Sequence, residues 1–226
     1  MRIIVLYEDD SLIAIDKPAG VVVHPTYKNV SGTVLDELQW RSRDWPPGAR
    51  PSLVGRLDKM TSGIVIAAKD AAVHAAMQRS WPEAEKDYLA VVHGQVEERE
   101  GEIDLPLGSD PADRRRRIVM AGGARCVTRF ERIAYAPESG LSLLRCRLVT
   151  GRTHQIRVHL TARGWPIVGD AVYGDPLVAQ AFPRQALHAW RISLAHPKSG
   201  ERLFIEAPVP ADMHDFLAAA RLTPTK

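Results

Sequence analysis

One short segment of the chain places a carboxylate among cations, directly before an apolar stretch. The charged residues are Arg56, Asp58 and Lys59, and the apolar stretch spans residues 63–68. A carboxylate flanked by cations stays ionised at neutral pH, and an ionised, oriented aspartate serves as a nucleophile or a general base. A structural alternative stays open, in which Asp58 forms a salt bridge or caps the local backbone.

A second group of candidate side chains is the pair His154 and His159, because imidazoles are common zinc ligands. Five residues along a helix rotate by about 140°, and five along a strand place the two rings on opposite faces. Neither geometry brings the rings together, and no acidic residue stands close to them in the sequence. We therefore expect two hydrogen-bonded structural histidines and no metal site.

Other catalytic patterns are absent from the sequence. There is no G-x-S-x-G elbow, and the serine at position 62 has no base beside it, so a serine nucleophile has no support. Neither G-x-G-x-x-G nor a P-loop pattern occurs, so a nucleotide cofactor has no support either.

The charges are nearly balanced in number but unevenly distributed. The formal net charge is +3, yet residues 97–104 contain five acids and one arginine, whereas residues 139–169 contain five arginines and no acid. A separate arginine run occupies positions 114–117. Because a guanidinium donates two hydrogen bonds at once to phosphate oxygens, the acid-free segment predicts a cationic wall for a phosphate backbone. For the run at 114–117, a solvated arginine-rich face is an equal alternative.

The candidate nucleophile needs a rigid element behind it, and the sequence predicts one. Residues 63–68 indicate a buried strand, and Asp70 is the predicted N-cap of an alanine-rich helix that ends near Trp81. The first 25 residues predict short strands and turns, the last strand at Val21–Val23. Further strands are predicted at 87–94, 126–134, 141–149 and 201–208, and a helix at 211–221. The mixture is an α+β class.

The segment at residues 150–166 contains apolar residues at spacings that fit both a strand and a helix. Gly164 and Pro166 form a helix stop, and Ile156 and Leu160 stack at a spacing of four. We therefore predict a helix that begins with Thr153 as its N-cap.

Length and composition bound the protein class. The chain has 226 residues, 45% hydrophobic and 25% charged, which fits one large or two small soluble domains. No apolar run approaches about 18 residues, and the N-terminus offers no small-residue cleavage site. We expect no membrane span, a cytoplasmic location, and ordinary thiols at Cys126 and Cys146.

Five segments that follow one another along the chain carry motifs. They are YEDDSLIAIDKPAGVVVHP, GRLDKMTSGIVIAAK, KDYLAVVHG, TGRTHQIRVHLTARGWPIVGDAVYG and ALHAWRISLAHPKSGERLFIEAPVP. In this order they resemble the opening motif, the catalytic motif, the following strand, the basic motif and the closing segment of the RluA-type pseudouridine synthases. These enzymes isomerise uridine to pseudouridine in RNA. The resemblance spans residues 7–210.

The resemblance implies a role for four residues. Asp58 corresponds to the catalytic aspartate, which attacks the target nucleotide while the base detaches, turns and rejoins through carbon. Arg157 corresponds to the basic residue that pairs with the catalytic carboxylate, and Tyr88 to the ring that stacks on the uracil. Arg56 resembles the arginine associated with extruding the nucleotide, a step that costs a few kcal/mol of unstacking. No cofactor or metal is implied.

One position departs from the family pattern. The family usually has a histidine before Arg-Leu-Asp, and this chain has Gly55. Since the carboxylate, the arginine and the tyrosine are all present, we expect Gly55 to alter loop flexibility or substrate contacts and not to abolish the chemistry.

The resemblance also implies a fold and a partner. The expected architecture is an α+β pseudouridine synthase fold, a mixed and largely antiparallel sheet in two half-sheets with an RNA-binding cleft between them. We expect one catalytic domain over residues 1–226, without the S4 RNA-binding domain that many relatives carry. The expected partner is RNA, either large-subunit rRNA or tRNA or both, and a monomer is the default.

Two rival functions stay open at this stage. One is a non-catalytic RNA-binding protein that retains the same fold, with Gly55 as its sequence support. The other is an aspartate-dependent hydrolase or glycosylase that uses the same loop and releases free base.

Overall fold

The computed structural model of the chain describes residues 3–27, 29–174 and 180–222. The strands are β1 (Ile4–Glu8), β2 (Leu12–Lys17), β3 (Ser52–Leu53), β4 (Ser62–Ala68), β5 (Glu85–His93), β6 (Glu100–Asp104), β7 (Leu107–Ser109), β8 (Arg117–Val119), β9 (Val127–Ala136), β10 (Leu141–Leu148), β11 (Leu187–Ala195) and β12 (Arg202–Glu206). The α-helices are α1 (Val34–Arg41), α2 (Ala71–Ser80), α3 (Gln155–Ala162) and α4 (Ala211–Ala219). Short 3₁₀ turns follow α1 and α2.

The chain divides into two compact units. The first contains residues 1–85 and 189–208, and the second contains residues 86–188 and 209–226.

The first unit is built on the strand order β1-β2-β4-β11, with β3 paired to β4 and β12 paired to β11. Every residue of β4 is buried, because the sheet is covered on both faces. On one face, Ile64 and Ile66 pack with Val73 and Met77 of α2. On the other, Val65 and Ala67 pack with side chains of α1. This two-sided burial explains the continuous apolar run at 63–68 and confirms the predicted strand.

The helix that follows β4 begins and ends where the sequence predicts. The Asp70 side chain accepts a hydrogen bond from the backbone N–H of Val73, which caps the first turn of α2. The helix ends at Ser80, one residue before Trp81.

The predicted strand at Val21–Val23 is wrong. In the structure this segment is not a strand, and the carbonyls of Val22 and Val23 accept hydrogen bonds from the N–H groups of Val34 and Leu35. These N–H groups belong to the first turn of α1, where no intrahelical acceptor exists. The apolar run therefore supports the start of a helix.

The second unit contains the strand order β5-β10-β9-β6 and a separate hairpin of β7 and β8. The pairings of β5 with β10, of β10 with β9 and of β9 with β6 are antiparallel. A small core beneath α3 consists of Leu107, Cys126 and Val158, with Tyr173 packed against it.

Helix α3 confirms the helix prediction for residues 150–166 but corrects its start. The N-cap is His154, not Thr153, and His154 has a left-handed backbone with φ of 59°. At the other end the chain turns at Gly164, which also has a positive φ. Ile156 and Leu160 are buried, as their spacing predicts.

The predicted α+β class and the largely antiparallel sheet are confirmed, and the hairpin of β7 and β8 forms a small separate sheet. In the ranges that the structure describes, no helix is long and apolar enough to cross a membrane.

Candidate active site

Asp58 lies on the loop between β3 and β4, in the first unit. Its side chain is half-buried, and its carbonyl accepts a hydrogen bond of 3.1 Å from the N–H of Thr61, which closes the turn into β4. Arg56 and Lys59 are exposed on the same loop. A loop fixed to a fully buried strand holds a functional side chain in a defined position while leaving it accessible.

A buried lysine binds the backbone of this loop. Lys17 is fully buried, and its Nζ donates hydrogen bonds to the carbonyls of Pro18, Val21 and Lys59 at 2.8, 3.0 and 3.2 Å. The N–H of Gly20 donates to the same Lys59 carbonyl at 2.8 Å. Since a buried ammonium is costly unless it is hydrogen-bonded, these acceptors keep Lys17 in place. The residue next to Asp58 is thus bound at its carbonyl by two donors.

Gly55 lies against the indole ring of Trp81. A Cβ at position 55 would stand 2.7 Å from Cζ2 of Trp81, closer than real carbon contacts allow. Trp81 itself packs against the core of the first unit that contains Val54 and Met77. The space beside Gly55 is therefore filled by an aromatic ring, so the missing side chain leaves no gap behind the loop that contains Asp58.

Tyr88 lies in the middle of β5, in the second unit, directly opposite Cys146 of β10. The tyrosine is half-buried, whereas Ala90 and Val92 on the same strand face are fully buried. Lys86 shares that face, and burial lowers its pKa to about 8. Burial raises the pKa of the Cys146 thiol to about 12, so this cysteine stays protonated.

Arg157 forms a buried ion pair with Asp170. Its Nε and Nη2 donate to the two carboxylate oxygens at 2.7 and 2.8 Å, and the side chains are 5% and 1% exposed. Burial alone raises the pKa of Asp170, but the hydrogen bonds from Arg157 and from the N–H groups of Val172 and Tyr173 outweigh it, so the pKa lies below its usual value. The carboxylate therefore stays ionised and orients the guanidinium plane.

Tyr173 connects Arg157 to two further elements. Its ring centroid lies 4.9 Å from the guanidinium carbon of Arg157. Its hydroxyl accepts a hydrogen bond of 2.8 Å from the N–H of Arg117 in β8 and lies 2.7 Å from Nδ1 of His154. The arginine is thus held on one side by a carboxylate and on another by a ring that is fixed at its far end.

Gln155 and His154, at the start of α3, are each held in place by specific contacts or by an unusual backbone conformation. Gln155 is buried and donates to the Val127 carbonyl and to Thr128 Oγ1, both at 3.0 Å, while its Oε1 accepts from Thr150 and Arg152. His154 adopts a left-handed backbone that is uncommon for a residue with a side chain. Such strain persists where the surroundings enforce it, and it is concentrated at functional sites.

Both histidines of the rejected metal pair are hydrogen-bonded, as predicted. His154 contacts Tyr173, and Nε2 of His159 lies 3.0 Å from the Leu105 carbonyl. Across residues 3–27, 29–174 and 180–222, no three His, Cys, Asp or Glu side chains converge as metal ligands.

The predicted cationic wall at residues 139–169 needs a correction. Acids from elsewhere in the second unit pair with four of its five arginines; the pairs are Arg145 with Glu131, Arg147 with Asp87, Arg157 with Asp170, and Arg163 with Glu98. Arg152 is exposed and takes part in none of the ion pairs formed by the described residues. Antiparallel pairing of β10 with β9 and β5 places Glu131 beside Arg145 and Asp87 beside Arg147, although these residues are far apart along the chain.

The arginine run at 114–117 lies in the connection that leads into β8. Arg115 pairs with Asp113 at 2.7 Å, and Arg117 Nη1 donates to the carbonyls of Arg114 and Arg116. The guanidinium carbon of Arg116 lies 5.5 Å from the Tyr173 ring. Arg115 and Arg117 therefore contact their own loop, an arrangement that neither phosphate binding nor the solvated arginine-rich face requires.

The four predicted site residues fall into two groups. Arg56 and Asp58 share the loop before β4 in the first unit, while Tyr88 and Arg157 lie on β5 and α3 of the second. The sequence does not single out Lys17, which binds the loop of Asp58, or Asp170 and Tyr173, which contact Arg157. All three stand inside segments with family motifs, DKPAG and GDAVYG, but their roles depend on tertiary contacts.

Known proteins with similar sequences identify the family of this chain. A family model described as RNA pseudouridylate synthase matches residues 11–162. Ribosomal large subunit pseudouridine synthase D of Nitrosomonas europaea is 44% identical, over 97% of this chain and 66% of that protein. The protein of the same name from Xanthomonas campestris pv. campestris is 41% identical, over 96% of this chain and 69% of that protein. An uncharacterized RNA pseudouridine synthase of Bacillus subtilis is 37% identical, over 98% and 74%.

Solved structures agree on the fold. Human RNA pseudouridylate synthase domain containing 4 superposes with a TM-score of 0.79 at 22% identity, over 96% of this chain and 93% of that one. Human RNA pseudouridylate synthase domain containing 1 superposes with a TM-score of 0.75 at 23% identity, over 100% of this chain and 97% of that one. These likenesses confirm the pseudouridine synthase fold. The chain spans about two thirds of the length of the first two curated relatives. Since the family model covers residues 11–162 and relatives match nearly the whole chain at 37–44% identity, the chain belongs to the RNA pseudouridylate synthase family, RluA type.

Proposed function

We propose that this protein isomerises uridine to pseudouridine in RNA, with Asp58 as the nucleophile. The observation that supports this most is the loop of Asp58, where a half-buried carboxylate stands on a segment bound by Lys17 and by β4, within the segment that resembles the catalytic motif. A nucleophile must be held in position and stay ionised, and this loop meets the first requirement.

The chemistry conserves the atoms of the uridine. Asp58 attacks C1′ of the target nucleotide as the bond between C1′ and N1 breaks. The base turns, and C5 bonds to C1′ as the bond to Asp58 breaks, which restores the carboxylate. C5 then loses its proton and N1 gains one, so the reaction consumes no co-reactant. In this proposal Tyr88 stacks on the uracil, Arg157 is the basic residue of the site, and Arg56 takes part in extruding the nucleotide from its stack.

Large-subunit ribosomal RNA is the substrate that we propose first. Two relatives at 41–44% identity carry this substrate in their names. Transfer RNA is the second substrate to examine, since the exposed cations of the loop suit any RNA phosphate.

The experiment compares RNA from cells with and without the gene. Pseudouridines are mapped in ribosomal and transfer RNA by carbodiimide labelling and primer extension. We expect at least one labelled pseudouridine to disappear in the deletion strain and to return with the wild-type gene. Asp58→Ala should not restore it, whereas Asp10→Ala, which removes an exposed carboxylate of the same unit, should restore it fully.

Three outcomes would contradict the proposal. Retained activity in a folded Asp58→Ala variant excludes Asp58 as the nucleophile. RNA binding without isomerisation by the wild type favours a non-catalytic binding protein. Release of free uracil favours a glycosylase. Circular dichroism of the purified variants shows whether each one is folded.

A further inference from the structure

A tight turn in the first unit displays an aromatic side chain to solvent. Thr26 and Asn29 exchange backbone hydrogen bonds of 2.9 and 3.1 Å, and the N–H of Asn29 also donates to Thr26 Oγ1. Between them, Tyr27 is 84% exposed, the largest exposed fraction among the big hydrophobic side chains in the described ranges, and Val30 follows at 75%. The ring is therefore presented by a closed turn.

This turn lies against the loop of the candidate nucleophile. Nζ of Lys59 donates a hydrogen bond of 3.4 Å to Oδ1 of Asn29. The N–H of Gly20, at the start of the segment that leads into the turn, donates to the Lys59 carbonyl. Gly20 and Asn29 thus both contact Lys59, the residue next to Asp58, and all three lie within the first unit. Tyr27 stands two residues from one of these contacts.

The surroundings of Tyr27 have the chemistry of a single-stranded RNA site. Arg56 and Lys59 are exposed cations on the adjoining loop, and no acidic residue occurs between Asp16 and Asp36. Proteins that hold single strands combine cations for the phosphates with aromatic rings on which bases stack. In structured RNA, recognition targets unpaired bases, which stack on such rings.

We propose that Tyr27 stacks on an unpaired base next to the target uridine. This inference rests on the proposed function and adds a contact to it. When the target nucleotide leaves its stack, a neighbouring base loses a stacking partner, and extrusion costs free energy for that reason. The Tyr27 ring replaces the lost partner, while Arg56 and Lys59 face the adjoining phosphates.

The test measures pseudouridine formation on large-subunit ribosomal RNA transcribed in vitro. Tyr27→Ala should raise KM roughly tenfold, equivalent to about 1.4 kcal/mol of stacking, with kcat little changed. Tyr27→Phe and Tyr27→Trp should keep the wild-type KM, because both retain a ring. Phe204→Ala serves as the matched control, since Phe204 is 60% exposed on β12 of the same unit and should not affect KM.

The outcomes separate this inference from the proposed function. If the wild type forms no pseudouridine on any RNA, the proposed function fails. If the wild type is active and Tyr27→Ala has an unchanged KM, stacking by Tyr27 is wrong. It is also wrong if Tyr27→Phe is as impaired as Tyr27→Ala, or if Phe204→Ala raises KM equally.

Discussion

At the scale of single residues, the ion pair of Arg157 with Asp170 makes the stability of the fold depend on pH. The pKa of Asp170 is lower in the folded protein than in the unfolded chain, because Arg157 and two backbone N–H groups outweigh the effect of burial. A group of this kind stabilises the fold above its unfolded pKa, and the stabilisation is lost as the pH falls through the folded pKa. The pair therefore stays intact at neutral and mildly acidic pH.

Replacing Asp170 by asparagine tests this pair. We expect Asp170→Asn to lower the free energy of unfolding at pH 7 by about 3 kcal/mol, because it removes the bidentate carboxylate that pairs with a buried guanidinium. The loss should shrink as the pH falls below about 4, because the Asp170 carboxyl of the unfolded wild-type chain is then protonated while that of the folded protein is still ionised. It should shrink further once the pH falls through the folded pKa. Urea unfolding from pH 3 to pH 7 measures the effect.

The control for this prediction is Asp215→Asn, which removes a carboxylate that is 82% exposed. Its unfolding free energy should stay close to that of the wild type, as is usual for surface substitutions. Equal pH profiles for Asp170→Asn and the wild type would contradict the assigned role of the ion pair.

Single residues also mark how far sequence reasoning reaches. Asp58 stands out because cations flank it and a buried strand follows it. Asp170 and Tyr173 do not stand out, since their partner Arg157 lies 13 and 16 residues earlier and meets them only through the turn after α3. Lys17 is hidden for the same reason, because its acceptor on Lys59 is 42 residues away. Side chains that act through tertiary contacts leave no local spacing to detect.

At the scale of elements, the 3₁₀ turn that follows α2 packs against the loop of Asp58 through the contact of Trp81 with Gly55. We expect Gly55→Ala to lower the free energy of unfolding by about 1–3 kcal/mol, because the added Cβ overpacks against the indole ring. The activity should fall as well, since Asp58 lies on the same loop. Urea unfolding and the pseudouridine assay measure the two effects.

Two further variants make this prediction specific. Adding Trp81→Leu to Gly55→Ala should restore part of the loss, because a smaller side chain makes room for the Cβ. Gly151→Ala adds the same methyl group where no atom lies within 4 Å, so it should not destabilise the fold. A Gly55→Ala protein as stable as the wild type would show that Trp81 moves aside freely.

Elements were predictable where local signals and tertiary packing agree. Strand β4 and helix α2 follow from an apolar run and an aspartate cap, and the structure contains both. Helix α3 was recognisable from its glycine stop, but its start at His154 was not, because a left-handed N-cap carries no sequence signal here. The run of β-branched residues at Val21–Val23 predicts a strand, but the backbone carbonyls of Val22 and Val23 instead accept hydrogen bonds from the first turn of α1.

At the scale of the whole molecule, the pairing of charges decides which arginines remain for phosphate contacts. Arg152→Gln should weaken RNA binding and reduce the slope of log K against log salt concentration by about 0.7, the value for one phosphate contact on a single strand. Arg163→Gln removes the same charge from a residue that pairs with Glu98 and stacks on Trp165, so its slope should match the wild type. Filter binding of transcribed ribosomal RNA between 50 and 300 mM salt, roughly the range where such slopes are measured, gives both values.

Equal slopes for the two variants would contradict the distinction between paired and exposed arginines. The sequence alone leads to a different expectation, in which all five arginines of residues 139–169 contribute. Charge counted along the chain fails because antiparallel pairing places Glu131 beside Arg145 and Asp87 beside Arg147. Net charge was uninformative for this reason, while the motifs were sufficient for the family and the fold.

The contact between Gly55 and Trp81 also constrains how this chain can diverge. While Trp81 is present, any side chain at position 55 meets its ring, so substitutions there pass through a destabilised intermediate. A chain that first replaces Trp81 by a smaller residue opens the space and then accepts the histidine that RluA-type relatives usually carry. The two positions are therefore epistatic, and the order of substitution determines whether the loop of Asp58 keeps its structure through the change.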